Sequence, residues 1–387
     1  MSLFTLNLPA TAIFGAGARH ELVAQMKRLG AGHAFIVTDA FLRQTGLPDA
    51  LMNQLREAGC TATIFAEVQP DPTDQNVAAG LAAFRHSGAN VIVAVGGGSA
   101  IDCAKAISIL ATNPAPLRQY MGYHKVSLAG VPLIAIPTTA GTGSEATRVA
   151  VITDTEHHEK MMILDARLTP AVALVDYELS LTMPRPLTAF VGVDTLTHGI
   201  EAYVSKKANG MTDPLALSCI TLTAGALLTA WSEPDNHQAR EAMALAAYQG
   251  GVAFTNASVC LVHGMSRPLG AVYHVPHGLS NAVLLPTVTR FSLSGNLVRY
   301  ANIARVMGLA VGNDSDEAAG QKLLAGLEAL NEALQIPLLR ACVKVSRAEF
   351  DLSLEKMAQD ALMSGSPQNN PVVPTAGQIV ELYRAAW

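Results

Sequence analysis

In the stretch VGVDTLTHGIEAYVS, residues 191–205, Asp194 and His198 stand four apart in a segment otherwise composed as a buried helix. That spacing puts both side chains on one helix face. A carboxylate and an imidazole placed so either satisfy each other in the core or hold a cation. A second stretch, VHGMSRPLGAVYHVPHGLSNA, adds His263, His274 and His277. One Asp with three His is a mixed nitrogen and oxygen donor set without sulfur, suited to Fe2+, Zn2+, Mn2+ or Co2+. Spacing alone does not choose between His274 and His277. Pro276 stiffens the approach to His277, and Gly278 is expected to free the backbone after it.

A different chemistry is written into VIVAVGGGSAIDCAKAISIL. An apolar strand, 91–95, runs into Gly96-Gly97-Gly98-Ser99 and then a helix. Glycines allow close approach of a pyrophosphate, and the helix start offers free N–H groups and a favourable dipole. Asp102 sits in the first turns, where it suits the dipole but would repel a phosphate placed too near. A second loop, IPTTAGTGSEATR, carries Thr138, Thr139, Thr142 and Ser144 among glycines, able to wrap a ribose or phosphate or simply to turn. Gly15-Ala16-Gly17, a helix and a strand ending at Asp39 imitate a dinucleotide fingerprint, but the third glycine is missing. Asp39 is still placed for a ribose, and its charge disfavours a 2′-phosphate, which leans toward NAD.

These residues need elements to hold them. Candidate strands are 34–38, 61–65, 91–95, 133–137, 148–153 and 172–176, separated by helical patterns such as ARHELVAQMKRLG and DQNVAAGLAAFRHSG. Short apolar runs alternating with helices imply a mostly parallel sheet covered on both faces. From about residue 181 strand signals fade into long Ala/Leu-rich helices, with two prolines at the change in ELSLTMPRPLTA. The expected organisation is an α/β dinucleotide-binding domain over 1–180 and an all-α domain over 181–387. That fits 387 residues, given roughly 150 per domain.

Half the residues are hydrophobic, 15% are charged and the net charge is −5, so neither nucleic acid nor an anionic membrane is an expected partner. Five cysteines, odd in number and without a CxxC pair, exclude a disulfide framework and point to a reducing cytoplasm. The start of the chain lacks a basic region before its apolar stretch, so no signal peptide is expected. LALSCITLTAGALLTAW, 215–231, is short for a membrane span and reads as a buried core helix.

Taken together, GGGSAIDCAK, IPTTAGTGSEATR, GVDTLTHGIEAYVS and HGMSRPLGAVYHVPHGLSNAVLLP resemble the iron-containing (group III) alcohol dehydrogenase family over nearly the whole chain. The resemblance implies a Rossmann-like α/β domain, a helical domain of dehydroquinate synthase-like architecture, and an active site in the cleft between them. It implies metal ligation by Asp194, His198, His263 and His277, with His274 behind the ligands or lining the pocket. It also implies NAD contacts from Asp39, Gly97, Gly98, Ser99, Asp102, Thr138, Thr139, Thr142 and Lys160. The expected reaction moves hydride between NAD and a small primary alcohol or diol, with Fe2+ or another divalent metal such as Zn2+. The expected assembly is a homodimer or larger homo-oligomer. Val149, Val151, Phe254 and the loop near Ser366 are candidate pocket liners.

One position departs from the family. A proton-relaying histidine is common four residues after the third ligand, and here that place is Arg267. Arginine stays protonated and is no base at neutral pH. Relay through His274, the cofactor ribose and water, a hold on a polar or anionic substrate group, and a structural ion pair are the readings open for this site. The rival activity, an NAD- and metal-dependent lyase of the dehydroquinate synthase type, calls for a strongly basic pocket that the motifs do not supply.

Overall fold

The computed structural model describes residues 3–157 and 159–387. They form two compact units, one of Asn7–Leu181 and one of Thr182–Trp387 joined by the leading residues up to Leu6.

Among its described residues the first unit has nine strands: β1 (Thr11–Phe14), β2 (His33–Asp39), β3 (Thr61–Val68), β4 (Val91–Gly96), β5 (Gly122–Tyr123), β6 (Leu133–Pro137), β7 (Val149–Asp154), β8 (Glu159–Leu164) and β9 (Val172–Val175). Its helices are α1 (Leu22–Arg28), α2 (Ala40–Gln44), α3 (Leu47–Glu57), α4 (Asp74–Ser87) and α5 (Gly98–Thr112). Six strands pair in the order β1-β9-β6-β4-β2-β3, every pair parallel. Alternation in β2 and β4 divides the core. Phe35, Val37, Ile92 and Ala94 pack with Val77, Leu81 and Phe84 of α4 and Ile101 and Ile107 of α5. Ala34, Ile36, Val91, Val93 and Val95 pack with Leu22 and Met26 of α1 and Leu51 and Leu55 of α3. Two covered faces explain why the central strands read as unbroken apolar runs.

The chain leaves β2 toward β3 and returns to β4 on the other side of β2. The strand order therefore reverses between β2 and β4. Asp39 ends one of these strands and the glycine loop follows the other, and such a reversal is where open α/β sheets bind ligands. The imitation fingerprint fails for a topological reason as well: β1, before Gly15, lies at the sheet edge beside β9, away from β2.

The run 148–153 is a strand but not part of this sheet. β7 pairs antiparallel with β8, and β5 adds parallel to β8, making a separate three-stranded sheet. A short apolar run does not reveal its partner. β8 and β1 escape periodicity because they are short and only partly covered.

The second unit is helical among its described residues: α6 (Arg185–Val204), α7 (Thr212–Ser232), α8 (His237–Ala257), α9 (Leu261–Tyr273), α10 (His277–Ser292), α11 (Leu297–Val306), α12 (Asp316–Ala333), α13 (Leu339–Val343), α14 (Arg347–Met363) and α15 (Ala376–Ala386). The prolines of MPRPLTA start α6, with Pro184 as its cap and Pro186 in the first turn, where a missing N–H costs nothing. From Gly192 to Val204 every residue of α6 is buried, because α7, α8 and α10 pack around it. The apolar run 215–231 falls in α7, which is long and apolar enough to cross a membrane. It packs into the core along one face. Ala216, Cys219, Ile220, Thr223, Leu227 and Ala230 are buried, while Thr221, Gly225 and Leu228 lie on an open face.

Candidate metal centre and cofactor loops

Helix α6 presents Asp194 and His198 one turn apart, α9 presents His263 in its first turn, and α10 begins with His277. The three imidazole Nε2 atoms converge on one carboxylate oxygen. Asp194 Oδ1 lies 3.7 Å from His198, 3.5 Å from His263 and 3.8 Å from His277. Donor atoms of Asp194, His263 and His277 all fall within 4.8 Å of one another. His198 joins through Asp194 and stacks on His263 with ring centroids 4.7 Å apart, while Phe254 stacks on its ring at 4.3 Å.

Burial opposes ionisation of Asp194, but His198, His277 and His263 outweigh it and hold the carboxyl far below its usual range. His263 shows the converse. Burial opposes its charge, yet Glu201 and Asp194 lift the imidazole to about 9, a measure of how strongly the spot attracts positive charge. The Asn281 amide nitrogen sits among the same donors, 2.6 Å from Asp194 Oδ1, 3.1 Å from His263 Nε2 and 3.3 Å from His277 Nε2. Lone pairs aimed at one small volume, one of them anionic, fit a divalent metal of the iron or zinc kind.

The structure brings His277 rather than His274 to Asp194. His274 is exposed and closes α9 in a left-handed conformation with φ 54°. Gly278 does not serve backbone freedom. A Cβ there would lie 2.6 Å from Phe190 O, so glycine lets α10 approach α6 closely enough for His277 to reach Asp194. Arg267 lies one turn beyond His263 on α9 and donates to Ser366 Oγ at 3.0 Å.

Sequence reasoning missed Glu201 and Asn281. Glu201 is buried, and its carboxylate accepts from Cys260 N at 2.8 Å, Val262 N at 2.6 Å and His263 Nδ1 at 2.7 Å. Its signal was present: Asp194, His198 and Glu201 stand at i, i+4 and i+7, a single polar stripe on a buried helix.

The other predicted residues gather in the α/β unit. No side chain caps the start of α5, where Gly97 is the N-cap, so its N–H groups suit a phosphate. The two loops interlock: a Cβ on Gly97 would lie 3.3 Å from Thr139 Oγ1, and one on Gly98 would lie 3.1 Å from Thr142 Oγ1. Thr138 N donates to Gly96 O at 3.1 Å. Asp39 Oδ1 caps α2 through Leu42 N at 2.8 Å, and its other oxygen lies 3.9 Å from a Cβ built on Gly96. Ser99 lies in the first turn of α5. Asp102 is tied to protein, accepting from Ser144 Oγ at 2.6 Å and Val151 N at 2.9 Å. Burial raises its pKa, opposed by Lys105 and Lys160 among others. Lys160 itself pairs with Asp71 at 2.6 Å.

A doubly covered parallel sheet with a glycine loop at its switch point, and a helical unit carrying an Asp/His donor cluster, are the parts of a protein that uses a nucleotide and a metal. Residues 9–177 match the family model described as iron-containing alcohol dehydrogenase, and residues 188–387 match the C-terminal model of that family. The chain belongs to the iron-containing alcohol dehydrogenase family, and its chemistry is alcohol–aldehyde oxidoreduction. It is 40% identical to the NAD-dependent methanol dehydrogenase of Bacillus methanolicus, with 98% of each chain covered. It is 41% identical to the lactaldehyde reductase of Escherichia coli K12, again over 98% of each. A crystal structure of 1,3-propanediol oxidoreductase superposes with a TM-score of 0.96 at 39% identity, covering both chains completely.

Proposed function

We propose that this protein is an NAD-linked, iron-dependent alcohol dehydrogenase interconverting small primary alcohols or diols and their aldehydes. The observation that carries the reading is the convergence of three imidazole Nε2 atoms on Asp194 Oδ1. Relatives named for methanol, 1,3-propanediol and lactaldehyde support the small substrate, and the first is named as NAD-dependent. Asp39 beside the glycine loop supports NAD over NADP.

Asp194, His198, His263 and His277 would hold the metal. The loops at Gly97–Ser99 and Thr138–Thr142, with Asp39, would hold the dinucleotide. When bound, the metal lends Lewis acidity to the alcohol oxygen and the nicotinamide accepts the hydride. The chain supplies position and charge. The side chains of Asp194, His198 and His263 are at most 4% exposed, whereas that of His277 is 44% exposed, so the donor set is dry behind and open on the His277 side. Arg267 keeps its proton throughout and accepts none from the alcohol. The free cysteines, four of them buried, support a reducing cytoplasmic home. The family resemblance supports a homodimer or larger homo-oligomer, which sedimentation would establish.

The decisive assay follows NADH formation with a panel of alkanols and diols before and after chelation, alongside His263→Ala. Chelation and the substitution should each cut the rate at least about a hundredfold, since both remove the Lewis acid. Undiminished turnover after metal removal would end this reading.

A further inference from the structure

Glu201 is not one of the four metal-donor residues, yet its carboxylate makes three hydrogen bonds in a buried setting. It stands on α6 beyond Asp194 and His198 and is 2% exposed. Its Oε2 accepts from Cys260 N at 2.8 Å and His263 Nδ1 at 2.7 Å, and its Oε1 accepts from Val262 N at 2.6 Å. Cys260 caps α9 and Val262 lies in its first turn, so one carboxylate satisfies orphan N–H groups at that helix start and holds the imidazole of the next residue.

We propose that Glu201 is a positioning residue: it keeps the proton of His263 on Nδ1 and so leaves the Nε2 lone pair aimed at the metal. This rests on the metal-dependent reading above. The argument is a competition between two carboxylates for one imidazole. Neutral imidazole carries its proton on one nitrogen only, and the hydrogen bond made by one nitrogen decides the state of the other. Asp194 Oδ1, 3.5 Å from Nε2, would favour the tautomer with Nε2 protonated, which cannot ligate. Glu201 Oε2, 2.7 Å from Nδ1, favours the opposite tautomer through the shorter, charge-assisted bond. Because the carboxylate also grips the backbone at Cys260 and Val262, the ring and the helix start are aimed together. Carboxylate–histidine–metal arrays commonly act in this way.

The test is Glu201→Gln in the full-length protein, stripped of metal and titrated with Co2+ against a chelating dye. A glutamine amide cannot accept at all three N–H groups. With its oxygen on Val262 N, its NH2 faces His263 Nδ1 and drives the proton to Nε2; with its oxygen on Cys260 N and His263 Nδ1, its NH2 opposes Val262 N–H and the charge that strengthens the bond to His263 is gone, so either orientation loosens the hold on the ring. The folded variant should bind Co2+ about 10- to 100-fold more weakly than wild type and give an altered Co2+ visible spectrum. Metal-free melting temperatures, measured in parallel, separate loss of a helix cap from loss of aim. A folded variant that binds Co2+ within twofold of wild type, with the same spectrum, overturns the proposal and leaves Glu201 a helix cap. Should the variant not fold, 15N-histidine NMR of metal-free wild type at high pH reads the tautomer directly, the resonance being assigned by its loss in His263→Gln. A proton on Nδ1 supports the proposal and one on Nε2 overturns it. A wild type that takes up no Co2+ is a separate result and sinks the metal reading itself.

Discussion

Lys105 and Glu145 show how much a single residue's setting changes its chemistry. Lys105, fully buried on α5, donates to Ser144 Oγ at 3.0 Å, Thr147 Oγ1 at 2.9 Å and Val149 O at 2.8 Å. It ties the helix after the glycine loop to the hydroxyl loop and to β7. Burial lowers it to about 8, against the pull of Asp102 and Glu145. Glu145 is raised to about 7 by burial, opposed by its own backbone N–H and by Lys105. Its folded pKa lies above the ordinary value of 4.5, so the native state holds a proton that the unfolded chain releases. The resulting stability is complete below about pH 4.5 and is lost as pH rises toward 7, at no more than about 1.4 kcal/mol per pH unit. Glu145→Gln removes this dependence. Urea midpoints at pH 5 and pH 7, the latter a unit below Lys105 at about 8, should show the variant gaining on wild type at the higher pH. An unchanged gap would show that Glu145 does not titrate there.

At the scale of elements, the metal centre depends on how closely α6 and α10 approach. Gly278→Ala places a Cβ 2.6 Å from Phe190 O and 2.8 Å from Phe190 C, and backbone atoms cannot swing aside. Separating the helices should cost about 1–3 kcal/mol of stability. It should also weaken metal binding, because α10 carries both His277 and Asn281. Calorimetric melting and a metal titration would show both losses together. Gly225→Ala, on the open face of α7 with nothing within 4 Å, is the control and should be neutral or stabilising by up to about 1 kcal/mol. The spans of α6, α7, α8 and α12 were legible as long Ala/Leu-rich patterns following the MPRP break. The β7–β8 hairpin was not. Its first strand was visible, but pairing is a tertiary fact and β8 is half covered.

For the whole molecule, metal and dinucleotide act as linked ligands of the native state. Each should raise the melting temperature of chelated protein, and NAD at a hundredfold over its Kd should add about 2.7 kcal/mol. NADP at the same concentration should add less, because the Asp39 carboxylate repels a 2′-phosphate. Differential scanning fluorimetry with each ligand alone and in combination tests this; equal shifts with the two dinucleotides would remove Asp39 from the selection.

The sequence by itself determined what is local: a strand running into a glycine loop and an uncapped helix, a carboxylate and an imidazole one turn apart, and a surplus of histidines downstream. These follow from backbone geometry within a few residues. Spacing left His274 and His277 open and the motif resemblance assigned His277; only the tertiary structure decided that His277 comes within 3.8 Å of Asp194, that Glu201 grips His263 across sixty-two positions, and that Lys105 is buried among hydroxyls. Those facts depend on the distance between helices far apart in the chain. That distance is set by side-chain volume and close contacts such as Gly278 against Phe190, which leave no period in the sequence.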